Sequence, residues 1–363
     1  MRITVVGAGI VGCAIAHELA TRGADVHLID SRGPARGATR ASAGILAPTI
    51  EGHTPALRRL AAASLAMYDD FVRRVELGSR QRLDYRRTGS VRVSYAGGVD
   101  PELAAEARAL DEAGIEHALL DAGQLRHVLP GVSGRATAGL LVAEHGYVRA
   151  AELTLALLAA AVARGARMST SAVHAIDARH GTTLVTIDGG VIEADAVVLA
   201  SGSWPVELRP DRAPTVTPIR GQLLHLQADA ASIPRVVWGP DCYLVPWQDG
   251  SVLVGATVED VGFDERSTAV GIHELLGAAV ELMPALRAAH LREVRVGLRP
   301  KASDELPVIG RAPSMSGVFY ALGHYRNGVL LSPLTAALVA DLVLEGREGA
   351  ELELVRPERL EPA

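Results

Sequence analysis

The stretch Gly7-Ala8-Gly9-Ile10-Val11-Gly12 is where residue type and spacing first imply chemistry. It fits G-x-G-x-x-G. The first glycine of such a turn permits a tight reversal between strand and helix, the second leaves room for a pyrophosphate against the backbone, and the third lets the helix pack on the strand. The helix N-terminus then turns its free amides toward the anion. Asp30, ending the next apolar run, is placed to accept from a ribose hydroxyl. The 2 cysteines, Cys13 and Cys242, lie far apart and form neither C-x-x-C nor a metal-ligand pattern. Electron transfer would therefore need a bound cofactor, and no metal site is expected. One glycine fingerprint without a redox cysteine pair favours FAD over NAD, since a flavin disulfide reductase would carry a second fingerprint and a dithiol.

The elements that must position this turn read as strand, turn, helix, strand. Arg2 to Val6 and Val26 to Ile29 are β-rich and Ala14 to Ala20 is helix-forming, a βαβ unit in which Gly23 takes the helix C′ position. Ser31 to Pro48 is a loop of small residues, and its run Ala41 to Gly44 would let backbone approach a flat ring. Thr54-Pro55 caps and starts a long helix to about Val75, and Asp100-Pro101 starts another. Ala151 to Ala163 reads as a helix ended by Gly165, followed by strands at Ala172 to Ile176 and Leu184 to Ile187 and a Gly189-Gly190 turn. Ala196 to Leu199 is uniformly apolar, as expected of a parallel strand covered on both faces that rejoins the first sheet and runs into Ala200-Ser201-Gly202. From Pro214 to Leu298 strands alternate. Tyr243 to Trp247 and Ser251 to Val258 flank a Gln248-Asp249-Gly250 hairpin turn, which predicts an antiparallel second domain. Val318 to Tyr320 restores a strand, and a last helix is expected from about Val329 to Leu344. Its first residues, Asn327 to Leu330, would offer free amides to a developing negative charge.

Length and composition agree with two domains: 363 residues, 48% of them apolar, supply two sizeable cores. With 36 Lys+Arg against 42 Asp+Glu the net charge is −6, which excludes the basic footprint of a nucleic-acid binder. Gly7, Gly9 and Gly12 interrupt the apolar run from Ile3 to Ile15, which also lacks a basic leader. Neither signal peptide nor membrane span is expected, and the reading is cytoplasmic.

Two further stretches, Gly37-Ala38-Thr39-Arg40-Ala41-Ser42-Ala43-Gly44 and Gly323-His324-Tyr325-Arg326-Asn327-Gly328-Val329-Leu330-Leu331, resemble the D-amino acid oxidase family of flavoenzymes, most of all its glycine oxidase branch. Gly221-Gln222, Cys242-Tyr243-x-Val245-Pro246, Gly255-Ala256-Thr257 and Gly297-Leu298-Arg299-Pro300, leading to Asp304, Pro307 and Ile309-Gly310, extend the resemblance along nearly the whole chain. It implies an α/β fold with antiparallel β: a Rossmann-type FAD-binding domain assembled from residues 1–80, 140–212 and 298–363, with an inserted antiparallel substrate domain from 81–139 and 213–297. The implied cofactor residues are Gly7, Gly9, Ile10, Val11, Gly12, Asp30, Ser31, Thr39, Ala41, Ser42, Ala43, Gly44, Leu46, Val173, Ala200, Gly202, Trp204 and Gly221, and later Arg299, Gly323, Arg326, Asn327, Gly328 and Val329. Neither cysteine stands where relatives link their flavin, which implies non-covalent FAD.

The resemblance makes Arg299 the clamp for a substrate carboxylate, helped by the Tyr243 hydroxyl, with Arg326 and His324 on the flavin side. A guanidinium fork suits two carboxylate oxygens. The competing reading is a surface arginine paired with Asp304. Asp241 and Val258 depart from the glycine oxidase pattern, which implies histidine and methionine there, so an extra acid lines the pocket and substrate preference is open. The implied reaction is oxidative deamination of glycine, sarcosine or small D-amino acids by hydride transfer from the α-carbon to flavin N5, with oxygen as acceptor and hydrogen peroxide as product. A quinone-linked D-amino acid dehydrogenase and a non-oxidase FAD-binding subunit stay open. A thiazole synthase partner and a homo-oligomer are further expectations, the first carrying a role in thiamine biosynthesis.

Overall fold

A computed structural model describes residues 1–50, 54–97, 100–179, 182–209, 213–228 and 233–360. Its first layer is a six-stranded sheet in the order Val308–Arg311, Val318–Leu322, Ala196–Leu199, Arg2–Val6, Asp25–Asp30, Arg167–Thr170. All neighbours are parallel except the Val308–Arg311 edge. Side chains alternate across a strand, so Ile3, Val5, Ala196 and Val198 pack beneath helices Ile10–Thr21, Ala150–Val162 and Ser332–Glu345, while Val6, Val197 and Leu199 turn to the other face. There they meet Ile176, Val185 and Ala194 of a four-stranded sheet. This double cover explains why Ala196–Leu199 is buried throughout.

The second layer is an eight-stranded sheet in the order His290–Lys301, Thr217–Gln227, Ser251–Gly255, Tyr243–Pro246, Val236–Trp238, Ser90–Ser94, Ala138–Val142, His117–Asp121. Six of its seven neighbouring pairs are antiparallel, but Val236–Trp238 lies parallel to Ser90–Ser94, where two segments distant in sequence join. One face carries Leu224, Leu226, Leu244, Val252 and Val254 against helix Ala269–Leu282. The opposite face carries Leu223, Val245 and Leu253 toward Ala41 and Ala43 of the small-residue loop. A one-residue slip would exchange these faces, so the apolar alternation fixes the register.

Several elements differ from the sequence reading, beginning with helix Gly37–Arg40 and strand Ile45–Leu46 inside the expected loop Ser31 to Pro48. The helix from Pro55 breaks at Met67 into Pro55–Ala66 and Tyr68–Ser79. The break lets the fully buried Tyr68 donate its hydroxyl to Val329 O at 2.5 Å. The strand from Ser251 ends at Gly255, after which Glu259 crosses to bridge Arg220. The last helix begins at Ser332, three residues later than expected: Gly328 to Leu331 instead form turns, with Leu331 N–H on Asn327 O and Ser332 N–H on Val329 O. The predicted caps hold, since Thr54 Oγ1 accepts from Leu57 N–H and Asp100 Oδ1 from the Glu102 and Leu103 amides.

Candidate active site

The glycine turn is built as its spacing requires. Gly7 has φ +107°, and a Cβ there would overlap the Ala200 carbonyl. A Cβ on Gly12 would overlap Gly7 O, so this residue serves packing and lines neither of the two cavities that meet at Gly9. Gly9 is different: only Thr39 Oγ1, at 3.2 Å, lies near its Cβ position, and the remaining space opens into the cavity. Asp30 Oδ2 accepts from Ala8 N–H at 2.8 Å and Oδ1 from Arg32 N–H at 2.7 Å, which fixes the carboxylate beside the turn. Thr39 Oγ1 accepts from Ile10 N–H at 3.0 Å and brings the small-residue loop to the same place.

Two cavities of about 330 and 360 Å³ meet at Gly9, Ala38, Thr39, Ala200 and Gly202. They form one groove along the C-terminal ends of the parallel strands, where open α/β sheets bind ligands. At its outer end lie Gly7, Asp30, Ser31, Val173 and Trp204. Ile10, Val11 and Ala41 to Gly44 line the middle. Gly221, Asp241, Tyr243, Val258 and Arg299 line the inner end from the eight-stranded sheet and its loops, facing Gly323, His324 and Arg326 to Val329. Leu46 lies apart: strand alternation turns it wholly into the core, and Ile45 and Ala47 face the groove instead. The groove's length, its open cradle at Gly9 and the anchored acid suit a dinucleotide. The inner end suits the ring system: among the described residues the amides of Gly328, Val329 and Leu330 have no acceptor. These donors come from a turn and not from a helix terminus, which corrects the sequence expectation.

Arg299 donates from Nη1 to Thr257 O at 3.0 Å and to Arg220 O at 3.4 Å. Among the described residues it has no carboxylate partner, because Asp304 is held by Arg359 at 2.7 Å. Its guanidinium occupies the space a Cβ on Gly221 would need, and the Tyr243 ring does the same over Gly255. These two glycines of the sequence motifs therefore make room for the two polar groups of the pocket. Trp238 steadies Tyr243 from the side, with ring centroids 5.2 Å apart. Asp241 and Val258 are exposed at the rim, and Asp241 makes no hydrogen bond or ion pair among the described residues.

Below Arg299 lies a polar network that sequence reasoning missed. Glu259 Oε1 accepts from Thr257 Oγ1 at 2.6 Å and from Gln222 Nε2 at 2.8 Å, and Oε2 accepts from Arg220 Nη2. Burial pushes the Glu259 carboxyl up, but the bonds from Arg220, Gln222 and Thr257 outweigh it and hold it at about 2. His324 is buried, with Nε2 3.1 Å from Thr335 Oγ1, and burial lowers it to about 4, so it stands neutral. Burial raises both cysteines, Cys242 to about 12. Trp238, Tyr325 and Ala256 also line the cavity. Tyr325 does so from a backbone with φ 47°, unusual outside glycine and carried by no sequence signal. Among the described residues there is no cluster able to hold a metal ion, and no helix long and apolar enough to cross a membrane.

Residues 2–342 match the FAD dependent oxidoreductase family, to which the chain therefore belongs. Its cofactor is FAD. The chain is 35% identical to the bifunctional protein ThiO/ThiG of Synechocystis sp. over 98% of its own length and 54% of that protein's, so it spans about half of that relative. It is 33% identical to a glycine oxidase of Geobacillus kaustophilus, covering 94% of this chain and 92% of that one. The crystal structure of glycine oxidase from Bacillus cereus superposes with a TM-score of 0.92 at 25% identity, over 100% and 99% of the two chains.

Proposed function

We propose that the protein oxidises glycine, sarcosine or small D-amino acids at the bond between the α-carbon and nitrogen, releasing an imino acid that hydrolyses to a keto acid and ammonia, or methylamine where the substrate is sarcosine. Oxygen is the electron acceptor in this reading and hydrogen peroxide the second product. The observation that carries it is Arg299: a guanidinium facing the groove, fixed by two carbonyls, with no acidic partner among the described residues. A buried or half-buried charge left in that condition suits a carboxylate ligand. Bound FAD supplies the hydride acceptor. The chain's own part is orientation. Arg299 and the Tyr243 hydroxyl hold the carboxylate, the narrow floor at Gly221 and Gly255 sets its height, and the amides of Gly328 to Leu330 offer hydrogen bonds to negative charge on the ring edge. No strong base is needed if the amine binds neutral.

The cofactor unit is proposed to follow the six-stranded sheet and the substrate unit the eight-stranded sheet; since strands Ala138–Val142 and His290–Lys301 belong to the latter, the expected bounds 1–80, 140–212 and 298–363 move at 140 and 298 to beyond Val142 and Lys301. A thiazole synthase as recipient of the product is supported only by the fused ThiO/ThiG relative. The deciding experiment is an anaerobic bleaching screen of the flavin with glycine, sarcosine and D-amino acids, against amines that lack a carboxylate. Bleaching by plain amines alone overturns the assignment, and bleached flavin that oxygen fails to recolour redirects it to a dehydrogenase.

A further inference from the structure

The two carbonyls that aim Arg299 come from different strands, and something must hold them together. Arg220 O belongs to Thr217–Gln227, whereas Thr257 lies beyond the end of Ser251–Gly255, where ladder pairing has stopped. Glu259 is the residue that joins them. Its backbone exchanges both hydrogen bonds with Arg220, Arg220 N–H to Glu259 O at 2.8 Å and Glu259 N–H to Arg220 O at 3.0 Å. Its side chain accepts from Thr257 Oγ1, Gln222 Nε2 and the Arg220 guanidinium. Gln222 N–H in turn donates to Thr257 Oγ1 at 2.9 Å, and the Gln222 side chain reaches Thr268, the cap of helix Ala269–Leu282. Arg220 is itself buried and is also shared with Asp264 at 3.2 Å. The strand ladder to His290–Lys301 also holds Arg220 O, and Thr257 N–H donates to Gln222 O at 3.3 Å, but the side-chain links that tie Thr257 to Arg220 meet at the Glu259 carboxylate.

We propose that Glu259 is a positioning residue for carboxylate recognition, holding Thr257 and Arg220 so that their carbonyls aim the Arg299 guanidinium into the groove. The proposal rests on the assignment of Arg299 as the carboxylate clamp. Glu259 touches neither substrate nor cofactor in this arrangement, so its loss loosens the clamp and leaves the reacting atoms alone.

The test uses the FAD-loaded protein and glycolate, a carboxylate without an amine, titrated by calorimetry. Glu259→Ala should weaken glycolate binding and raise the KM for glycine by about tenfold each, with kcat within about threefold and flavin content unchanged. Glu259→Gln should rescue part of the loss, to about threefold, because its Oε1 still accepts from Thr257 and Gln222 while the Arg220 bond is gone. If Glu259→Ala binds glycolate as wild type does while Arg299→Ala does not, the positioning role is overturned and the clamp stands. If Arg299→Ala keeps wild-type affinity, or wild type does not bind glycolate, the clamp itself falls. A drop in kcat with KM unchanged also overturns the proposal, as general damage would produce it. Should Glu259→Ala not fold, Glu259→Gln and Thr257→Val decide: the second keeps the carbonyl under Arg299 but removes the hydroxyl link, and unchanged glycolate affinity in both overturns the proposal.

Discussion

Among the described residues Arg299 is held by carbonyls only, so its charge is directed at the groove rather than cancelled in place. Replacing it with alanine removes the planar fork and takes one donor each from Thr257 O and Arg220 O. We expect Arg299→Ala to retain the flavin spectrum and to lower kcat/KM by about 10²-fold, roughly 3 kcal/mol of transition-state interaction. Lysine should restore only part of this, since a point charge lacks the fork. Gly221→Ala probes the same contact from below. The added Cβ meets the end of a flexible side chain and not backbone, so the fold should tolerate it while the guanidinium is pushed off its seat. Steady-state kinetics should show kcat/KM down by about tenfold or more with normal flavin content, as a misplaced orienting group requires. A Gly221→Ala enzyme with wild-type kinetics would mean that the guanidinium position does not matter.

Among the elements, helix Ile10–Thr21 carries an unusual burden. His17 is 1% exposed, with neither ring nitrogen partnered among the described residues. Burial first, then the nearby Arg164 and Arg74 charges, lower its pKa to about 4. The folded state therefore binds the proton less readily than the unfolded chain, whose histidine titrates near 6.5. Stability from this group is full above about pH 6.5 and is lost as pH falls from there toward 4, by up to about 1.4 kcal/mol per pH unit. His17→Leu should remove this penalty. Urea unfolding should show the variant gaining on wild type by about 1 kcal/mol between pH 7.5 and 5.5, and a pH-independent offset would refute the neutral buried state. The same helix shows what the sequence made legible. Its glycine turn, its C′ glycine at Gly23 and the caps at Thr54 and Asp100 are local, since the residues that bond are a few positions apart. The support under Arg299 is not. It depends on Ile219 facing Arg299 and Gly221 facing Gly297 across strands about eighty positions apart, and on Glu259 folding back over Arg220. The start of the last helix differs for a related reason: Pro333 has no N–H to bond back to Val329 O, and Tyr68 of a distant helix donates to that carbonyl instead.

For the whole molecule, the groove is a seam between two sheets that have separate cores. Side-chain ties cross it at several points: Arg32 pairs with Glu265 at 2.8 Å, Arg40 with Glu293 at 2.6 Å and Arg149 with Asp249 at 2.5 Å, and Trp204 packs on Phe263 with centroids 5.0 Å apart. FAD bound along the groove touches the glycine turn of one layer and the pocket floor of the other, so it should couple their unfolding. Ligand that binds only the folded chain stabilises it by about 4 kcal/mol at a thousand times its dissociation constant. We therefore expect acid or mild chaotrope to release FAD in about a one-to-one ratio, consistent with two buried, protonated cysteines. The apoprotein should melt several degrees lower, with the layers unfolding less cooperatively, and FAD should restore a single transition where NAD does not. Gly9→Val removes the open space at the turn without touching the ties elsewhere, and should abolish both the yellow colour and the FAD-induced shift. A folded Gly9→Val protein that still shifts with FAD would place the cofactor outside the groove, and flavin that stays with the chain after denaturation would show a covalent link.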